Sequence, residues 1–79
     1  MKIRVYLFGT FRQCAPGHDS AKGMEMHLPD GANAGALLKI LEIPEKAQPV
    51  VVMNNRIIQR NEPIEPDAMV RIVQTGVGG

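Results

Sequence analysis

The last two residues of the sequence, Gly78 and Gly79, are of a type that could present the backbone itself for chemistry. Glycine has no Cβ and loses more conformational freedom on ordering than any other residue, so a terminal pair predicts a thin, flexible tail. Gly76 and Val77 extend this narrow segment. Such a tail can enter a narrow channel and bring a terminal carboxylate into the active site of another protein. The competing interpretation is a frayed chain end that happens to contain glycine.

Other residues with chemical potential have no partners at a recognisable spacing. His18 falls in turn-forming sequence and His27 in a predicted strand, and neither has companions at metal-ligand spacing. Cys14 is the single cysteine, which fits a reducing cytosol and a small apolar role. Ser20 has no catalytic-triad context. The sequence therefore predicts a protein that is not an enzyme on its own and that binds no metal and no cofactor.

Composition excludes several functional classes. The chain has 79 residues, of which 44% are hydrophobic and 22% charged, and this predicts one small globular domain. Nine Lys and Arg against eight Asp and Glu give a net charge of +1, with no basic cluster that would favour nucleic acid. No apolar stretch approaches a membrane span. We expect a soluble cytoplasmic protein without nucleic-acid or membrane partners.

The first half of the chain predicts two strands and a helix. Apolar and polar residues alternate over 2–11 and again over 24–28, which is typical of half-buried strands. The period then changes. An apolar stripe at helical spacing predicts a short helix, whose start Asn33 or Asp30 can cap and which stops before Pro44. The stripe is formed by Ala34, Leu37, Leu38 and Leu41.

The second half predicts three more strands. Residues 50–53 form a continuous apolar run, which is typical of a strand buried on both faces. Asn54 and Asn55 suit a tight turn into a returning strand over 56–59. A loop over 60–68 precedes the last strand, 69–73. The order ββαβββ predicts an α+β fold, with one helix packed across a mixed sheet of four to five strands.

Four segments, in this order and spacing, carry a family resemblance. They are KIRVYLFGTFR at 2–12, LPDGANA at 28–34 with Leu37 and Leu38 following, MNNRII at 53–58, and the terminal Gly78-Gly79. Together they resemble the MoaD/ThiS family of ubiquitin-like sulfur carriers over nearly the whole chain. The resemblance implies a ubiquitin-like β-grasp domain over residues 1–75 and a flexible tail over 76–79.

Two positions depart from the MoaD pattern. MoaD proteins usually place Asp-Gly-Asp before the last strand and two prolines before the tail. Here these positions hold Pro66-Asp67-Ala68 and Gln74-Thr75. We expect Asp67 to adopt the tight backbone conformation of the missing glycine. The tail VQTGVGG is more similar to a ThiS ending, whereas the front of the chain resembles MoaD.

The resemblance also implies a function and partners. An E1-like enzyme would use ATP to adenylate the Gly79 carboxylate, and sulfur would then displace AMP to leave a thiocarboxylate. In a MoaD role the tail would enter a larger, MoaE-like synthase subunit and give its sulfur to a molybdopterin or tungstopterin precursor. The positions that match the family's hydrophobic docking patch are Phe8, Ile57 and Val73, with Arg71 beside them. We also expect Arg4 and Arg56 to contribute to a polar rim.

Three alternatives remain open at this point. A ThiS-like carrier would serve thiamine thiazole synthesis through a thiazole synthase. A ubiquitin-like modifier would use the same adenylate but end in an isopeptide bond to lysine. A plain β-grasp interaction domain would not need its tail. The long front hairpin favours the molybdopterin branch.

Overall fold

A mixed five-stranded sheet carries one helix on one of its faces in the computed structural model, which describes residues 1–14 and 22–74. The strand order is β2-β1-β5-β3-β4; β1 and β5 are parallel and the other pairs antiparallel. The elements are β1 (Lys2–Leu7), β2 (Met24–His27), α1 (Ala34–Ile40), β3 (Pro49–Met53), β4 (Arg56–Ile58) and β5 (Met69–Gln74), with 3₁₀ turns at Gly9–Cys14 and Glu45–Ala47. The predicted α+β class and element order are confirmed.

The helix forms where its apolar stripe and cap predict it. Asn33 has extended backbone angles, and its Oδ1 accepts a hydrogen bond of 2.8 Å from the amide of Ala36. This bond satisfies one of the amides that the first helical turn leaves without a partner. The predicted stripe, Ala34, Leu37, Leu38 and Leu41, is buried against the sheet.

Position 35, in the first helical turn, is glycine because the start of the loop over 60–68 passes close to it. Its amide donates to the carbonyl oxygen of Arg60 at 2.8 Å, and a Cβ at position 35 would lie 3.3 Å from that oxygen. Because this is tighter than most Cβ contacts, the lower helical propensity of glycine is offset by a close backbone approach.

The first predicted strand is too long. The structure ends β1 at Leu7, and Gly9, with a φ of 63°, turns the chain out of the sheet into a 3₁₀ turn. Phe11 then enters the core from this turn, where only 3% of its surface is exposed. The alternation over 2–11 does mark inward and outward residues, but the turn at Gly9 breaks the extended backbone.

The prediction that the 50–53 strand is buried on both faces is wrong. Val51 and Met53 are buried towards α1, whereas Val50 and Val52 on the other face are half-buried. A continuous apolar run indicates that both faces of a strand are apolar, which does not require that both are covered.

Three predicted tight conformations are confirmed. Asn54 and Asn55 have φ values of 50° and 69°, the left-handed pair that joins antiparallel strands through a tight hairpin. Asp67 has a φ of 61°, in place of the glycine that the family pattern puts there. Its amide donates to the carbonyl oxygen of Lys2 at 2.8 Å, which fixes the start of β5 beside β1.

Candidate docking face

The sheet has one face packed against α1 and one that stays accessible, which we call the open face. Pleating places outward residues between core residues along each strand. One row of outward residues crosses four strands, because Tyr6, Arg71, Val52 and Ile57 are successive partners in β1, β5, β3 and β4. Three of these four side chains are largely apolar, and Arg71 lies among them.

A second row lies towards the carboxyl end of β5. Val73 pairs with Val50, and the amide of Phe8 donates to the carbonyl oxygen of Ile72 at 3.1 Å, so Phe8 continues the ladder beside Val73. Phe8 is 37% exposed and the two valines are half-buried. The open face therefore carries two apolar rows, with Arg4 and Met69 paired at its other end.

All four predicted partner-binding residues lie on this face. Ile57 is the most exposed of them at 67%, and Arg71 and Val73 are half-buried. Sequence reasoning left Val50 and Val52 out of the patch. The signal was present in the apolar run at 50–53, whose outward members lie between Ile57 and Arg71 or beside Val73.

The predicted tail residues Gly76, Val77, Gly78 and Gly79 lie outside the described residues, as does the predicted boundary between domain and tail at 75 and 76. The position of Gln74 still bounds where the end of the chain can go. Five residues span at most about 17 Å when fully extended. Val73 is the last residue but one of β5, so the five residues after Gln74 stay within about this distance of the end of the second apolar row.

The arginines of the open face have neutral hydrogen-bond partners. Arg71 donates from Nη1 to Oδ1 of Asn55 at 3.1 Å and from Nη2 to the Met69 sulfur at 3.7 Å. Arg4 donates from Nη1 to the carbonyl oxygen of Lys22 at 2.9 Å. Neither has a carboxylate within ion-pair distance among residues 1–14 and 22–74.

Arg56 does not belong to the predicted polar rim. It pairs with Met53 and so lies on the opposite side of β4 from Ile57. Its Nη1 lies 3.0 Å from Oε2 of Glu62. The amide of Gln59, which donates to the same carboxylate at 2.9 Å, lowers the pKa of Glu62 most, and Arg56 lowers it further.

In the described part of the chain, the other candidate residues do not assemble into a site. His27 lies on the edge strand, where its Nε2 is 3.2 Å from Oε2 of Glu25. Cys14 closes the first 3₁₀ turn, and His18 and Ser20 lie outside the described residues. Within the described ranges, no three or more His, Cys, Asp or Glu residues are grouped closely enough to hold a metal ion. No helix in those ranges is long and apolar enough to cross a membrane.

Two shallow hollows in the described part of the chain are not lined by Phe8, Ile57, Arg71 or Val73, although one of them includes Arg4. One of about 230 Å³ at the start of β1 is lined by Lys2, Ile3, Arg4, Glu25 and Asp67. The other, of about 470 Å³ beside the helix, is lined by Pro29, Asp30, Gly31, Ala32, Ala36, Lys39 and Ile40. The predicted docking residues lie on the open face and do not line these hollows. An open surface of this kind suits contact with another protein better than binding of a small molecule.

Comparison with solved structures places this architecture among known folds. A protein from Pyrococcus furiosus described as molybdopterin converting factor, subunit 1, superposes with a TM-score of 0.69 at 23% identity, covering 94% of this chain and 97% of the other. SAMP1 from Haloferax volcanii superposes with a TM-score of 0.71 at 12% identity, and each chain is covered completely. The chain has the ubiquitin-like β-grasp fold. No protein-family model and no curated protein sequence matches it.

The β-grasp similarity extends over essentially the full length of this chain and of both matched chains. The resemblance to the MoaD/ThiS family is confirmed at the level of the fold. Sequence identities of 23% and 12% carry no residue roles with them. The roles of individual residues have to be argued from the open face itself.

Proposed function

We propose that this β-grasp protein is a sulfur carrier for molybdopterin or tungstopterin synthesis. The observation that carries the proposal is the position of the open face. Its second apolar row lies where β5 ends, so a partner that covers Phe8 and Val73 is also within reach of the tail. Full-length structural similarity to a protein described as a molybdopterin converting factor subunit supports the pterin branch.

The proposed chemistry takes place on the Gly79 carboxylate. A carboxylate does not accept sulfur at neutral pH, because its carbonyl carbon is electron-rich and oxide is a poor leaving group. An E1-like enzyme attaches AMP from ATP to this carboxylate and releases pyrophosphate. A sulfur nucleophile then displaces AMP, and the carrier ends in a thiocarboxylate.

The proposed partners supply the catalysis. The adenylating enzyme binds ATP and the tail, and a larger, MoaE-like synthase subunit binds the sulfurated tail beside the pterin precursor. Gly76, Val77 and Gly78 form the thin segment that enters each active site. Phe8, Ile57, Val73 and Arg71 hold the domain against the partner while the tail is inserted.

The test is a mass analysis of the tryptic peptide of residues 72–79, from protein purified from its native cells. Trypsin releases this peptide by cleavage after Arg71, and it contains neither Met nor Cys. A replacement of oxygen by sulfur in this peptide can lie only at the C-terminus, whereas the whole-protein mass would confuse it with methionine oxidation. If only the carboxylate is found after incubation with the adenylating enzyme, ATP and a sulfur donor, the proposal is wrong.

The same peptide separates the alternative functions. The tail sequence VQTGVGG favours a ThiS-like carrier as the second candidate, and this carrier would show the same thiocarboxylate. Transfer of labelled sulfur to a thiazole precursor, in place of a pterin precursor, would then identify it. A ubiquitin-like modifier would instead yield residues 72–79 joined through Gly79 to a lysine of another protein.

A further inference from the structure

The charged groups of the two sheet faces are neutralised differently. On the helix side, Arg56 contacts Glu62 at 3.0 Å and Arg60 contacts Glu45 at 3.2 Å. On the open face, the acceptors that hold Arg71 are an amide oxygen and a thioether sulfur. Arg71 lies between Tyr6 and Val52, its partners in the neighbouring strands on either side.

A partner that covers the open face removes water from the Arg71 guanidinium. An uncompensated charge in a dry interface is unfavourable, and neutral acceptors do not cancel it. Asn55 and Met69 occupy one donor on each terminal nitrogen, and a guanidinium has five N–H donors in a planar fork. Donors therefore remain for an anionic group that approaches from the partner.

We propose that the partner of the open face presents an Asp or Glu carboxylate that binds Arg71, surrounded by apolar side chains that cover Tyr6, Val52 and Ile57. This inference rests on the proposed function, because it assumes that the open face docks on a protein. A carboxylate matches the guanidinium fork in shape and charge, and a ring of apolar contacts excludes the water that would weaken the pair. A polyanion such as nucleic acid fits poorly, because the rows beside Arg71 are apolar and the net charge is only +1.

The first experiment measures affinity by calorimetry for the larger synthase subunit and for the adenylating enzyme of the source organism. The variants are Arg71→Met and, as a matched control that removes the same charge from the helix side, Arg56→Met. We expect R71M to bind at least tenfold more weakly than wild type and R56M to bind within twofold of it. Unfolding curves of both variants establish that the fold is intact.

The second experiment traps the carboxylate. In an Arg71→Lys variant bound to the partner, a carbodiimide joins the new amine to a carboxylate in contact with it, through an amide bond formed with loss of water. We expect a cross-linked peptide between position 71 and an Asp or Glu of the partner. Arg56→Lys, treated in the same way, should give no such cross-link at position 56.

The outcomes separate this inference from the proposed function. Equal affinities of wild type and R71M overturn the inference and leave the carrier function standing, and so does a complex that forms without a cross-link at position 71. If wild type binds neither protein and its tail is never sulfurated, the proposed function fails and the inference fails with it. Weaker binding by R71M, together with the cross-link, establishes the carboxylate contact.

Discussion

Ile57 and Ile58 are neighbours in β4, yet Ile57 is 67% exposed and Ile58 only 5%. The same contrast runs across the sheet, where Val51 and Met53 are buried and Val50 and Val52 face outwards. Removal of apolar surface from water is worth roughly 25 cal/mol per Å². On binding, the entropic cost of association offsets part of this gain. On the helix side this free energy contributes to folding, and on the open face it remains available for a partner.

The charges of the two faces follow the same division. Carboxylates of the same chain neutralise Arg56 and Arg60 beside the helix. Arg71 on the open face has only neutral acceptors among the described residues. One face of the sheet is thus covered by the helix and has its arginines paired with carboxylates. Among the described residues, the other face has neither an apolar cover nor a carboxylate for Arg71.

Two phenylalanines three positions apart give the largest predicted difference. Phe11 is buried in the core and Phe8 lies on the open face. We expect Phe11→Ala to lower the free energy of unfolding by about 3–5 kcal/mol, because it leaves a cavity in a close-packed core. Phe8→Ala should cost less, about 1–2 kcal/mol, since 37% of its surface is already in water. Urea unfolding at neutral pH measures both, and equal losses would contradict the division between the two faces.

Ile57→Ala should show the converse behaviour. We expect its affinity for the larger synthase subunit to fall about tenfold, which corresponds to about 1.4 kcal/mol, while its unfolding free energy changes by less than about 0.5 kcal/mol. The matched control is Ile40→Ala, because Ile40 is 53% exposed but lies on the helix. Calorimetric titration with the synthase subunit compares them. Weakening by I40A and not by I57A would place the interface on the helix side.

Asn33→Ala tests how much the N-terminal cap of α1 contributes to stability on the sheet face that packs against the helix. We expect a loss of about 1 kcal/mol in unfolding free energy, because the Ala36 amide loses its Oδ1 acceptor. Asn33→Asp keeps an acceptor at the cap and should stay close to wild type. Both are measured by urea unfolding. An equal loss in the two variants would show that Asn33 acts through something other than its cap.

Periodicity predicted the elements well because it records which residues face the core. The apolar stripe of Ala34, Leu37, Leu38 and Leu41 predicted the helix. The alternation in β5 predicted that Val70 and Ile72 face the core. Asn54, Asn55 and Asp67 were predictable for a different reason. Asn and Asp tolerate left-handed backbone better than most residues, so turn chemistry is visible locally.

Other features depend on contacts between distant segments, which a local pattern does not record. β1 ends at Leu7 because the backbone turns at Gly9. This turn brings Phe11 into the core from outside the strand. The sheet face on which Arg56 lies depends on its pairing with Met53 and on its contact with Glu62 in the following loop. For the candidate site, the sequence predicted four residues on one face, but the rows that join them follow from the strand order β1-β5-β3-β4.

The Arg56–Glu62 pair predicts a small pH dependence that belongs to the helix side alone. The pKa of Glu62 is held below its ordinary value, first by the Gln59 amide and then by Arg56. A carboxylate with a lowered folded-state pKa stabilises the fold above its unfolded-state pKa, and this contribution disappears as the pH falls through the folded-state pKa. We therefore expect Glu62→Gln to be less stable than wild type at pH 6 and the difference to shrink below about pH 4.5. Urea unfolding midpoints between pH 3 and pH 7 measure it.

The Arg56→Met background separates the two causes of this pH dependence. Because the Gln59 amide is the larger cause, E62Q should still change the pH profile of R56M, by less than it changes that of wild type. A constant difference between wild type and E62Q across the whole pH range would mean that the carboxylate charge does not contribute. Neither R56M nor E62Q should change the affinity for the synthase subunit, since Arg56 and Glu62 lie away from the open face. A change in affinity would mean that the helix side also takes part in docking, and the division between the two faces would not hold.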